Sequence, residues 1–309
     1  MKQRSIRNRL TVLALTFVCA CAAAPQQAPP RQAIIRYDSV HHPEIALHGM
    51  VVSQNGLASD IGRDILRQGG NAVDAAVATG FALAVTLPRA GNLGGSGFML
   101  VHMAGSGETI ALDYRSMAPL VSDPALYRMP DGAVDNAAMT HGARAAAVPG
   151  TIAGLYEAWR RWGTMPWDAL LAPAQELAAE GIVVSHDLAF ALSQGAQTMG
   201  PFPSSAAIFL NPDGHAWRPG ERLVQADLAW SIGEIMRGGA DAFYRGALAD
   251  RIVAAFAAEG GLITHDDLAG YAVKERDLVA TDYRGFRVVS MPPVSAGGVT
   301  LIQMLNMLS

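Results

Sequence analysis

Apolar residues recur along this chain with two periods, one close to four and one of two, and the switches between them mark its elements. Leu57, Ile61 and Ile65 are spaced every four residues in a segment that stops at Gly69-Gly70, the pattern of a helix with a glycine C-terminal signal. Asn71 with Asp74 three residues on predicts a capping box opening a second helix, Ala72 to about Leu87. That helix has almost no charge after Asp74, so it is expected to be surrounded by protein; its apolar part is too short for a membrane span and begins at a capped acidic turn. Beyond Pro88 comes the glycine-rich run Gly91-Asn92-Leu93-Gly94-Gly95-Ser96-Gly97. Phe98 to Met103 and Thr109 to Arg115 then flank the turn Gly105-Ser106-Gly107 and predict a β-hairpin. Helices leading into an antiparallel pair predict helices layered on a sheet, without a βαβ crossover.

Further along, Ile152, Leu155, Tyr156 and Trp159 share one helical face after Pro149-Gly150. Pro173 fits the first turn of a helix ending at Gly181, and Leu248, Ile252, Ala255 and Phe256 define another that stops at Gly260-Gly261. Phe286 to Met291 reads as a strand entering Pro292-Pro293. The last residues, Val299 to Ser309, are apolar and helix-like without a cap or polar tail, the pattern of an element interrupted midway.

The N-terminus differs in kind. Lys2, Arg4, Arg7 and Arg9 precede the apolar run Leu10 to Ala24, the n-region and h-region of a signal peptide over residues 1–24. Val18-Cys19-Ala20-Cys21 resembles a bacterial lipobox, which would leave Cys21 lipidated; ordinary cleavage near Ala22 to Ala24 is the other reading. Residues 25–45, opening Pro25-Gln26-Gln27-Ala28-Pro29-Pro30, have the composition of a flexible linker, so the folded part is expected over 46–309. The 309 residues, 50% hydrophobic and 16% charged, suffice for a sizeable core. Removing the four leading basic residues from the 23 leaves 19 against 27 acidic ones, a formal charge of −8, which argues against nucleic acid as a partner. Cys19 and Cys21 are the two cysteines of the chain, so no internal disulfide, zinc cluster or cysteine nucleophile is expected in a mature form.

Candidate chemistry is sparse. The glycine run lacks the Gly-Lys-Ser/Thr ending of a phosphate loop and leads into a strand, and Ser96 is not in a Gly-x-Ser-x-Gly elbow because Phe98 fills the last place. Close backbone packing is the expected use of these glycines. The eight histidines are scattered without metal-motif spacing, and Thr140-His141 and Thr264-His265 read as a loop and a helix N-cap. Arg115 is the most informative position. Alternation puts Asp113 and Arg115 on one strand face at a hairpin end, where the chain breaks into Met117-Ala118-Pro119. One reading is a surface ion pair between the two; the other is a guanidinium fork set at a sheet end to grip a substrate carboxylate.

Taken together, these segments resemble the γ-glutamyltransferases (glutathione hydrolases) of bacterial periplasms. The resemblance runs in family order from about residue 48 to the last residue. It is carried by Leu66-Arg67-Gln68-Gly69-Gly70-Asn71-Ala72-Val73-Asp74-Ala75-Ala76, Ala90 to Gly95, Leu112-Asp113-Tyr114-Arg115, Val148-Pro149-Gly150-Thr151, Asp241-Ala242-Phe243-Tyr244-Arg245-Gly246, Gly260-Gly261-Leu262-Ile263-Thr264 and Ser290-Met291-Pro292-Pro293. It implies an α+β fold, the αββα sandwich of N-terminal-nucleophile hydrolases, made as a precursor that cuts itself into a large and a small subunit. It implies a threonine nucleophile that forms a γ-glutamyl ester and passes the group to water, an amino acid or a peptide, with no cofactor. Arg115 is implied to bind the α-carboxylate of the glutamyl group.

Ser116 replaces the glutamate that commonly follows this arginine, and Ser96 interrupts the glycine run. In the family's order the nucleophilic threonine, its Thr-Thr-His context and the paired serines and glycines of the oxyanion pocket lie downstream of Ser309. The expectation is therefore a large-subunit portion without its small subunit, catalytically silent alone and exported to the periplasm. A β-lactam or glutaryl acylase of the same superfamily and a non-catalytic lipoprotein binding module are the competing readings.

Overall fold

The computed structural model describes residues 45–309. The expected leader, Cys21, His41-His42 and the linker up to residue 44 lie outside the described residues. The body, His48–Ser309, is built around helix α2 (Ala72–Thr86), against which α1 (Gly56–Arg67) packs. Helix α2 starts at the predicted Asn71, and α1 at Asn55, a cap that the apolar period alone does not mark. The Asn55 side chain accepts from the amides of Leu57 and Ala58, and Asn71 forms the full capping box with Asp74. Asp74 does more than cap. Wholly buried, it also accepts from the Thr164 amide (3.0 Å), the Thr164 hydroxyl (2.5 Å) and the Met165 amide (3.4 Å), fastening the start of α2 to a loop 90 residues away.

That loop joins α4 (Thr151–Trp162) to α5 (Trp167–Glu180), with a short helix α3 (Asn136–Thr140) earlier in the chain. Phe81 of α2 meets Trp167 edge to face at 5.5 Å, and Tyr156 and Trp159 of α4 close the cluster. Pro173 is not in the first turn of its helix, contrary to the sequence expectation; α5 begins at Trp167 and carries Pro173 inside. An interior proline forgoes one helical hydrogen bond. Here the early start buries Trp167, whose indole N–H donates to the Ile235 carbonyl at 2.9 Å, together with Leu170, Leu171 and Ala174. That burial outweighs the missing bond.

The hairpin forms as expected, β1 (Gly97–Met103) antiparallel to β2 (Glu108–Tyr114), with Gly97 opposite Tyr114. Strand β2 is central in a three-stranded sheet, flanked by β1 and by a strand over Lys274–Arg276, and Ile110, Leu112 and Tyr114 turn one face into the helical core. The intervening chain forms β3 (Ile182–Val183), α6 (His186–Met199), α7 (Pro203–Phe209), β4 (Arg222–Leu223), α8 (Ala226–Tyr244), α9 (Ala247–Ala258) and α10 (His265–Ala269). Strand β5 (Lys274–Arg276) then returns to pair with β2. The chain finishes as a hairpin, β6 (Val279–Tyr283) and β7 (Phe286–Ser290), with α11 (Ala296–Met307) packed on it. The class is α+β, helices layered on an antiparallel sheet.

Candidate functional site around Arg115

Arg115 lies one residue beyond the last paired position of β2, with its side chain exposed. Just past it the chain pairs once more, Met117 against Val148 in an isolated bridge, and this brings Pro149-Gly150 and the start of α4 beside the strand end. The glycines make that approach feasible. A side chain at Gly154 would overlap the Tyr114 ring, and one at Gly150 would overlap both the Tyr114 carbonyl and the Tyr271 hydroxyl. The Gly95 carbonyl accepts from the amides of Gly150 (2.8 Å) and Thr151 (3.1 Å), so the glycine run serves the start of α4 by close backbone packing, as the sequence predicts.

Of the two readings of this strand end, the ion pair between Asp113 and Arg115 does not form. Asp113 is only 5% exposed and its carboxylate is turned to β5, where its Oδ2 accepts from Arg276 Nε and from a second guanidinium nitrogen, both at 2.9 Å. Its Oδ1 accepts the backbone N–H of Arg115 at 2.9 Å. The reason is register: Arg276 stands opposite Ala111 on the paired strand, close enough to reach the buried acid, and a buried charge requires such a partner. Among the described residues the Arg115 guanidinium makes no hydrogen bond or ion pair.

Three tyrosines close the surroundings. Tyr114 reaches the Phe98 carbonyl at 3.2 Å, and burial pushes its hydroxyl up to about 12. Tyr244, at the end of α8, donates to the Pro149 carbonyl at 2.9 Å and stacks on Tyr271, rings 5.6 Å apart and nearly parallel. Tyr271 donates to the Arg115 carbonyl at 2.9 Å. Burial raises the pKa of both Tyr244 and Tyr271, so their hydroxyls remain donors well into the alkaline range. Asp267 in the capping box of α10 accepts the Leu120 amide at 2.6 Å, which ties the chain leaving Arg115 to the helix preceding Tyr271. Burial works to raise the pKa of Asp267, but its hydrogen bonds from Leu120 and Thr264 prevail and hold it below the usual value.

The other sequence candidates separate from this site chemically. Thr140 closes a short helix rather than a loop; its hydroxyl donates to the Asn136 carbonyl at 2.6 Å and lies 2.8 Å from His141 Nδ1. Thr264 is an N-cap, as expected. Sequence pattern does not single out Tyr271 or Arg276, since one is a lone aromatic after Gly270 and the other belongs to a three-residue strand. The signal that points near them is the Gly150 and Gly154 spacing, which demands that something large approach the start of α4.

The profile of the family described as Gamma-glutamyltranspeptidase matches residues 58–309. The chain belongs to the γ-glutamyltranspeptidase family. It is 42% identical to the glutathione hydrolase proenzyme of Escherichia coli K12 over all of this chain and 53% of that protein. The crystal structure of Helicobacter pylori gamma-glutamyltranspeptidase superposes with a TM-score of 0.84 at 40% identity, covering 86% of this chain and 76% of that one. The Acylase ACY 1 proenzyme of Pseudomonas sp. SE83 is 39% identical over 86% of this chain and 48% of its own length. This γ-glutamyltranspeptidase-family chain thus spans about half the length of the curated relatives it matches.

Proposed function

We propose that the protein carrying this chain transfers or hydrolyses γ-glutamyl groups, with glutathione and related γ-glutamyl amides as substrates, and that Arg115 grips the α-carboxylate of the glutamyl group. One observation carries the reading: an exposed guanidinium stands at a sheet end with its backbone fixed, while its acidic neighbour Asp113 is already satisfied by Arg276. An arginine in that state is available for two parallel hydrogen bonds to a carboxylate. The nucleophile is a threonine from chain outside these residues, freed by self-cleavage of a precursor. Its hydroxyl attacks the γ-carbonyl, the C–N bond breaks, and the proton passes through the threonine's own amino group to the departing amine. Water, an amino acid or a peptide then takes the γ-glutamyl group from the ester. On this reading residues 46–309 are large-subunit scaffold and inactive without the small subunit, which covers the apolar face of α11.

The test is hydrolysis of a γ-glutamyl anilide by the whole protein, with two bands on a denaturing gel. Release of the aniline by a two-band preparation is the expected result; a single band with no release would leave a binding scaffold instead. Similarity to an acylase supports a second reading, cleavage of a glutaryl amide. That substrate keeps the terminal carboxylate and lacks only the α-amino group, so Arg115 would grip it in the same way, and a preference for it over the γ-glutamyl anilide would overturn the γ-glutamyl reading without removing Arg115 from carboxylate binding. The leader over residues 1–24 exports the protein to the periplasm, and Cys21 bears a lipid. A mature N-terminal peptide with diacylglyceryl mass at Cys21 is expected, and an unmodified start near Ala22 to Ala24 would overturn the anchor.

A further inference from the structure

We propose that Tyr271 is a positioning residue for Arg115, its hydroxyl setting the direction in which the guanidinium is presented to substrate. The inference rests on the proposed carboxylate-binding role of Arg115 and deepens it. Arg115 follows Tyr114, the last residue of β2 to pair with β1, so no strand ladder fixes its backbone. Its two backbone groups are held instead by side chains: the N–H by Asp113 and the carbonyl by Tyr271, each at 2.9 Å. Asp113 is local, two residues away in sequence, and is itself locked by Arg276. Tyr271 comes from 156 residues away and supplies the tertiary restraint.

The placement of that hydroxyl is specified from three sides. Its ring stacks on Tyr244, which is tethered to Pro149; the hydroxyl fills the space left by Gly150; and Val273 and Lys274 follow directly into β5, whose Arg276 clamps Asp113. The two restraints on Arg115 therefore belong to one connected unit running from Tyr271 to Arg276. Phenylalanine at 271 would retain the ring stack and delete the one hydrogen bond to the Arg115 carbonyl.

The experiment measures steady-state kinetics of the whole protein on a γ-glutamyl anilide and on its 4-aminobutyryl counterpart, which lacks the α-carboxylate. Tyr271→Phe is expected to raise KM for the γ-glutamyl substrate about three- to tenfold, the size of one lost hydrogen bond, with kcat within about twofold. The 4-aminobutyryl substrate is expected to show no change. In an Arg115→Lys background, Tyr271→Phe is expected to add less than about twofold, because residues acting through one another are not additive. If Arg115→Lys leaves KM unaltered, the carboxylate-binding role of Arg115 fails; if Arg115→Lys raises KM and Tyr271→Phe does not, that role stands and the positioning role falls. An equal effect on both substrates, or a phenylalanine variant that does not fold, would make the hydroxyl structural and overturn the proposal.

Discussion

Helices α2 and α11 look alike as sequences and end up in opposite surroundings. Each is uncharged beyond its first turn, AVDAAVATGFALAVT against AGGVTLIQMLNM, and beside the single polar row Thr300, Gln303 and Asn306 the surface of α11 is as apolar as that of α2. In α2 this composition matches its place: Val77, Ala78, Phe81 and Val85 are wholly buried, with α1, α4 and α5 around it. In α11 only Gly298 is buried, and the hairpin β6-β7 covers one side. Leu301, Met304 and Met307 stay exposed, Met304 at 49%. A helix whose surface is mostly apolar is stable in water only when something covers it. The same pattern thus accompanies complete burial in one place and an exposed face in the other.

The strongest challenge to this contrast is Phe81→Ala. Phe81 is 0% exposed and packs edge to face on Trp167, so the substitution should cost about 3–5 kcal/mol in denaturant unfolding of the whole protein. A cost under about 1 kcal/mol would mean that α2 is not the centre of the body. Next is alkaline pH. Tyr114 titrates near 12 when folded and near 10 when unfolded, so its contribution is complete below pH 10 and is lost as pH rises toward 12. Burial raises Tyr244 and Tyr271 as well, which adds to the same loss. Unfolding midpoints should fall by an equivalent of about 2 kcal/mol or more between those pH values, and a flat profile would contradict the burial of these rings.

Arg115→Lys tests the exposed end of β2 rather than the core. It should raise KM for a γ-glutamyl anilide at least about tenfold, with self-cleavage changed far less, since lysine retains the charge and loses the fork. The smallest effect belongs to α11. Met304→Lys should alter the stability of residues 45–309 by no more than about 0.5 kcal/mol while reducing their self-association in light scattering. In the whole protein the same change should cost about 2 kcal/mol, because there the lysine would have to enter a covered face. Equal costs in both would leave α11 a solvent helix and remove the contrast with α2.

Much of this architecture is legible locally. The capping signals at Asn71 and Thr264, the glycine stops and the hairpin around Gly105-Ser106-Gly107 act over three or four residues, and each appears where the pattern puts it. Pro173 departs from its pattern because the start of α5 is decided by what Trp167 buries, a tertiary matter. At the site, alternation pairs Asp113 with Arg115, while the fold brings Arg276 to the acid from 163 residues away. No local spacing encodes that distance.

Residue order alone accounts for the caps, the periods, the buried character of α2 and, through the ordered motifs, the family, because these depend on neighbours within a turn or two or on residue identity. Which acid pairs with which arginine, which hydroxyl holds the Arg115 carbonyl, and which apolar helix is covered are matters of the folded chain. Those outcomes depend on strand register and on space left by glycines, and both are settled only when distant segments meet.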